Sequence, residues 1–134
     1  MLDTVSEFSA PAPRLRPLLP RGKLMAVGRL IETRFNERLT LDQMARVAGL
    51  SVFRFVTVFG RQFGFSPHRY LCMVRVRAAQ ELLRNGVPTA IVAIEVGFCD
   101  QSHLCRHFRA VCGMTPGQFI LLASLSPNPR AGSL

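Results

Sequence analysis

From Lys23 onward the apolar residues recur with a helical period and are interrupted at regular points by helix-starting and helix-stopping residues. Leu24, Val27, Ile31 and Phe35 fall at i, i+3, i+7 and i+11, with Arg29, Glu32 and Arg34 outside, which predicts an amphipathic first helix. Thr40 is placed to cap a second, short helix, with Gln43 in the position of a capping-box partner. Leu41, Met44, Ala45 and Ala48 form its apolar side and Gly49 stops it. Ser51 caps a third helix running to about Phe63, with Phe55, Phe59 and Gln62 on one side and Phe53, Thr57 and Arg61 broadly opposite. Small residues at positions 45 and 49 let two helices cross closely, as a helix-turn-helix requires.

Ser66 and Pro67 then read as a cap followed by a proline at the first helical position. From there PHRYLCMVRVRAAQELLRN runs unbroken to Asn85 and Gly86, with Tyr70, Val74, Ala78 and Leu82 at the buried spacing. At 1.5 Å per residue this connector is about 28 Å long. Pro88 and Thr89 open another helix, in which Val92, Ala93 and Val96 face inward and Gly97 terminates. Asp100 caps DQSHLCRHFRAVC, where Leu104, Phe108 and Val111 stack on one side and Ser102, Arg106 and Arg109 on the other, before Gly113. Thr115 and Pro116 repeat the cap-plus-proline start, and a short last helix carries Phe119 and Leu122.

The expected fold class is therefore all-α, with about seven helices arranged as two helix-turn-helix subdomains joined by a long central helix. The first motif covers residues 40–64, the connector 67–85 and the second motif 89–113, all within one domain at 23–125. Residues 1–22, with Pro11, Pro13, Pro17 and Pro20 among Arg14, Arg16 and Arg21, read as a disordered linker or basic arm. Residues 126–134 read as a disordered tail. The two halves are copies. Ala45 and Gly49 recur as Ala93 and Gly97, 48 residues on, whereas Phe59, Gly64 and Pro67 recur as Phe108, Gly113 and Pro116, 49 residues on. One residue has entered the second turn, and turn residues, helix stops and core aromatics are what two copies of such a motif must share.

Charge narrows the partner. Lys plus Arg number 17 against 8 for Asp plus Glu, giving a net charge of +9, and Lys23 is the one cation that is not Arg. The planar guanidinium suits phosphates and guanine edges and stays charged, so nucleic acid is the leading partner class. The four cysteines, Cys72, Cys99, Cys105 and Cys112, sit in apolar helical patterns without disulfide or zinc-ribbon spacing, which fits small buried hydrophobes in a reduced, cytoplasmic setting. Asp3 and Glu7 at the start do not fit a signal peptide, and no apolar run approaches the ~18 residues of a membrane span, so no membrane partner is expected.

The stretches GLSVFRFVTVFGRQFGFSPHRYL, RVRAAQELL and VGFCDQSHLCRHFRAVCGMTPGQF resemble the DNA-binding domain of the AraC/XylS family of bacterial transcription regulators, over about residues 24 to 119. The resemblance implies a seven-helix, two-motif domain that binds double-stranded promoter DNA and often recruits RNA polymerase. By position it implies that Gln101, Ser102, His103, Cys105 and Arg106 face the groove in the second motif, with Arg109 on the same basic side. In the first motif the matching residues are Phe53, Val56 and Thr57, flanked by Arg54 and Arg61. Family members often carry Arg where this chain has Thr57, a basic residue where it has Gly60, and Arg where it has Ile120. The first motif is accordingly expected to make apolar or phosphate contacts, and the second to supply most of the specificity, led by Arg106. The target is expected to be asymmetric and the chain a monomer. The effector-binding domain common in the family has no counterpart here, so an effector ligand is not expected; a stand-alone regulator and a truncated gene both fit.

Two rival readings are weaker. His103 and His107 are one turn apart and lie near Cys99, Cys105 and Cys112, but no carboxylate is placed to orient either imidazole, so no metal and no cofactor are expected. Nucleophilic catalysis lacks a nucleophile turn and an oriented base, so an enzyme is not expected. The alternative function is a remnant of a larger regulator that acts as a protein-interaction module without productive DNA binding. His68, Arg75 and Arg77 on the connector read as solvated, with a brace between the motifs as the alternative for Arg75.

Overall fold

The computed structural model describes residues 21–125. The arm read at residues 1–22 lies outside them except for Arg21 and Gly22, which already belong to the first helix, and the tail at 126–134 lies outside them entirely. Among the described residues the structure is all-α: α1 (Arg21–Arg34), α2 (Leu41–Ala48), α3 (Val52–Phe63), α4 (Pro67–Arg84), α5 (Thr89–Glu95), α6 (Gln101–Cys112) and α7 (Pro116–Leu125). They fall into two compact units, one holding α1 up to Leu30 together with residues 40–67, the other holding residues 31–39 and 68–125.

In the first unit α2 packs against α3. The capping box is complete: the Gln43 N–H donates to Thr40 Oγ1 at 3.1 Å and the Thr40 N–H to Gln43 Oε1 at 2.8 Å. Gly49, at φ 73°, turns the chain in the left-handed region, and the Leu50 N–H returns to the Ala45 carbonyl at 3.0 Å. Such a turn favours glycine because a Cβ meets the following carbonyl there. Leu24, Val27, Met44, Ala45, Ala48, Phe55 and Phe59 are buried, and the Phe55, Phe59 and Phe63 rings follow one another along α3 at 5.6 and 4.3 Å. Burying such a ring stabilises by about 1.5–3 kcal/mol.

The second unit has one core, made by Cys72, Val76, Ala79 and Leu83 of α4, Val92 and Ala93 of α5, Val96 and Phe98 of the turn, and Leu104 and Phe108 of α6. This corrects the buried row expected on α4. Val74 is buried, but Tyr70, Ala78 and Leu82 are half-buried at the flank, and the row at 72, 76, 79 and 83 faces the core. Val111 is likewise 36% exposed, since α6 docks through Leu104 and Phe108, with Cys112 at the edge of that contact. Leu122 is 51% exposed, and α7 packs through Phe119, whose ring lies 5.5 Å from Phe108.

The cysteines also divide. Cys72 is buried, Cys105 and Cys112 are half-buried, and Cys99 is exposed because it is the extra residue of the turn and belongs to no helix.

Arg75 is the largest departure from expectation. It is only 8% exposed, and its guanidinium donates from Nε to the Phe35 carbonyl at 2.6 Å and from Nη2 to the Glu37 carbonyl at 2.9 Å. The same group lies 5.5 Å from the Phe98 ring centroid. A buried cation is tolerable only with such partners, and here two carbonyl dipoles and an aromatic face supply them. It therefore braces the segment after α1 to the turn before α6, within one unit. Gly97, at φ 102°, leaves room for it: a Cβ there would sit 2.8 Å from Arg75 Nε and 2.9 Å from the Phe35 carbonyl oxygen.

Candidate nucleic-acid interface

The two helix-turn-helix motifs are built by the same local chemistry. In the second, the Phe98 N–H donates to the Ala93 carbonyl at 2.8 Å, as Leu50 does to Ala45 in the first. Ser51 Oγ then accepts from the Arg54 N–H at 3.3 Å, and Asp100 Oδ1 from the His103 N–H at 2.8 Å. These caps satisfy amide groups that the first turn of a helix leaves open. Both α3 and α6 end in a left-handed glycine, Gly64 or Gly113, whose N–H returns four residues to Gly60 or Arg109 at 2.8 Å. Two twelve-residue helices of defined start and stop result.

On α6, Leu104 and Phe108 are fully buried, which fixes the opposite side outward. Gln101, Ser102, Arg106 and Arg109 are exposed there, with Cys105 half-buried beside them. Arg106 and Arg109 form no ion pair among the described residues, whereas Arg34, Arg46 and Arg84 are paired with Glu37, Asp42 and Glu81. The basic side of α6 is thus unneutralised and offers bidentate donors to an anionic partner.

His103 is the one predicted α6 residue set apart from this face. Its ring is edge-on to Phe98 at 5.1 Å and to His107 at 4.8 Å, and its Nδ1 accepts from the Cys99 N–H at 3.2 Å. In the neutral ring the proton therefore resides on Nε2. His107 stacks on Phe98 at 5.4 Å and lies 6.1 Å from His68 on α4, so all three histidines are linked by ring contacts through His107. Burial, then the Arg106 charge, holds the His103 imidazole below its ordinary range, and burial followed by the neighbouring histidines does the same for His107. Among the described residues no three His, Cys, Asp or Glu side chains converge to hold a metal ion.

On α3, Phe55 and Phe59 are buried and the predicted residues lie away from them. Phe53 is 80% exposed, Arg54 and Arg61 are exposed, and Val56 and Thr57 are half-buried. Thr57 Oγ1 donates to the Phe53 carbonyl at 3.0 Å, so its hydroxyl hydrogen is taken by its own helix. Arg54 and Arg61 form no ion pair among the described residues. The first face is apolar at its centre and basic at its margins.

Sequence reasoning missed Phe98 and the full role of Arg75, which support α6 from behind. The available signal was the repeat itself: Phe98 follows Gly97 as the apolar Leu50 follows Gly49, although Phe98 is buried and Leu50 only half-buried.

Comparisons with known proteins agree with this construction. Residues 44–121 match the family model of a helix-turn-helix domain, more than half of the chain. The chain is similar to the virulence regulon transcriptional activator VirF of Yersinia enterocolitica, 31% identical over 67% of this chain and 34% of that protein. It is also similar to the HTH-type transcriptional regulator YbfI of Bacillus subtilis, 31% identical over 63% of this chain and 31% of that protein. It thus spans about a third of the length of these relatives. Among solved structures, the DNA-binding domain of the global transcriptional factor AdpA in complex with a target DNA superposes with a TM-score of 0.72 at 26% identity, covering 77% of this chain and 94% of that one. A transcriptional regulator of the AraC-type DNA-binding class from Chromobacterium violaceum shares the fold at a TM-score of 0.71 and 22% identity, covering 80% and 96%. The matched motifs, the seven-helix order and the shared fold together show that this chain belongs to the AraC/XylS family of transcription regulators and carries that family's double helix-turn-helix domain.

Proposed function

We propose that the chain is a sequence-specific, DNA-binding transcription regulator that inserts α3 and α6 into successive major grooves of one asymmetric promoter site. The observation that carries this reading is the exposed Arg106 and Arg109, without an ion pair among the described residues, on a helix whose other side is locked by Leu104 and Phe108. An 18-residue connector, about 27 Å at 1.5 Å per residue, suits a groove that recurs about every 34 Å. The unlike faces of α3 and α6 favour an asymmetric target, and two motifs in one chain favour action as a monomer. VirF is named an activator and the AdpA domain was solved on its target DNA, which supports promoter binding here and, with it, contact with RNA polymerase in the cytoplasm.

Random-site selection with the purified protein tests this. The expected result is a long, non-palindromic site with two conserved blocks about one turn apart, bound with an affinity that falls steeply as salt rises. Arg106→Ala should lose about 1–3 kcal/mol of discrimination at the base it reads. If Arg106→Ala left sequence preference intact while Thr57→Ala abolished it, the assignment of α6 as main reader would be wrong. A second reading, a protein-interaction remnant, is favoured by the exposed Phe53, Leu121, Leu122 and Leu125. It predicts no enriched site and a partner affinity that barely changes with salt.

A further inference from the structure

Phe53, Val56, Thr57 and Gly60 stand at i, i+3, i+4 and i+7 of α3, the four corners of a diamond on one helix surface. In helix packing such a diamond is the hole that receives an apolar knob. Among the described residues no side chain closes over its Phe53 and Gly60 corners. Phe53 is 80% exposed, and a Cβ built at Gly60 would meet no atom within 4 Å. The corners offer no polar hydrogen, because Thr57 donates its hydroxyl to the Phe53 carbonyl, which leaves its methyl as the group a ligand meets. Arg54 and Arg61, exposed and without an ion pair among the described residues, flank the diamond with cations. The occupant must therefore bring a small apolar knob on an anionic frame. In the major groove one group answers that description, the C5-methyl of thymine, which lies at the base edge between phosphate rows and is contacted by Phe and by the Thr methyl.

We propose that this diamond is a seat for thymine methyl groups, so that the first motif recognises its half-site by methyl content and shape, without hydrogen bonds to base edges. The inference rests on α3 entering a major groove, as proposed above. A guanine or cytosine edge at the same place would face Phe53 and Val56, which offer it no partner, so thymine is selected both by what fits and by what is left unsatisfied.

The test replaces thymine by uracil, which removes the methyl and keeps every hydrogen-bonding group. Sites from random-site selection are resynthesised with uracil in one block at a time, and Kd is measured at fixed salt for the wild type, Thr57→Ser and Thr57→Val. Expected is a thymine-rich block whose preference survives Arg106→Ala. Uracil in that block should weaken binding about fourfold per seated methyl, the equivalent of about 0.8 kcal/mol for one buried methylene. Thr57→Val, which keeps the methyl and replaces the hydroxyl by a second one, should retain this sensitivity; Thr57→Ser, which loses the methyl, should blunt it. Gly60→Ala adds a group that meets no neighbour and favours the helix, so it should raise Tm while reducing thymine preference, which separates an occupied seat from a misfolded motif. An enriched site with equal affinity for thymine and uracil throughout would overturn the seat and leave DNA reading intact. Failure to enrich any site would overturn both.

Discussion

Counted from their caps, α3 and α6 carry Phe53 against Ser102, Thr57 against Arg106 and Gly60 against Arg109. Behind those faces the correspondence is close: Phe55 and Leu104 are both fully buried, as are Phe59 and Phe108. The duplicated positions that must pack, turn or cap have kept their chemistry, while those that face outward have diverged, with Arg106 and Arg109 standing where α3 has Thr57 and Gly60. Packing density explains the first part, since a core position tolerates little change in volume, and nothing within the motif constrains the second. A scaffold that holds a helix at both ends leaves its outer side to be set by the partner alone.

The turns differ as well, and the largest expected effect tests that difference. Gly97→Ala should destabilise by about 3 kcal/mol, because φ is 102° and the new Cβ meets a backbone carbonyl oxygen at 2.9 Å, which cannot swing aside. Gly49→Ala, at φ 73° with the Lys23 amine 3.1 Å away as its one close neighbour among the described residues, should cost about 1–2 kcal/mol. Urea denaturation of the two variants reads the contrast directly, and equal losses would show that Arg75 and the Phe35 carbonyl do not confine the second turn. Caps come next. Asp100→Ala should lose about 1–1.5 kcal/mol and Ser51→Ala about 0.5–1, because the Asp100 bond is shorter and a carboxylate at a helix start also meets the dipole. Reversal of that order, measured by thermal unfolding, would contradict the geometry.

The smallest effect is in pH. His103 and His107 bind protons less readily in the folded chain than in the unfolded one, chiefly through burial. Stability should thus be flat above about pH 7.5, fall as pH drops through about 6.5, and go on falling until the folded-state rings are also protonated. Carboxylates do not contribute until roughly pH 5. Residues 40–64 contain no histidine, so amide exchange between pH 7 and 5.5 should quicken in α6 more than in α3 once intrinsic rates are removed. Equal quickening in both helices would break the contrast.

Much of this could be read from the residues themselves, and the reason is locality. Thr40 with Gln43, Ser51, Asp100, Gly49 and Gly97 act on amides and dihedrals within five residues of themselves, so their chemistry is visible in a short window. The buried row of α4 was not legible, because Leu71, Cys72, Val74, Val76, Ala78, Ala79, Leu82 and Leu83 make it apolar on almost every side. Periodicity cannot choose between two such rows one or two residues apart; the partners α5 and α6 do. Arg75 was hidden for the opposite reason: its acceptors are main-chain carbonyls 40 and 38 residues away, which no side-chain pattern announces. The placement of His103 depends on Phe98 being turned inward, a property of the turn and not of either residue.

The extra residue at Cys99 sets a rule for exchanging parts between the copies. Because the offset is 48 before the turn and 49 after it, a graft of the whole first motif onto the second would shorten the turn by one residue and remove the position that Cys99 holds. A graft confined to the outward positions, with Phe53, Thr57 and Gly60 taking the places of Ser102, Arg106 and Arg109, keeps cap, stop and core untouched. Scaffold and outward face can in that sense be varied separately.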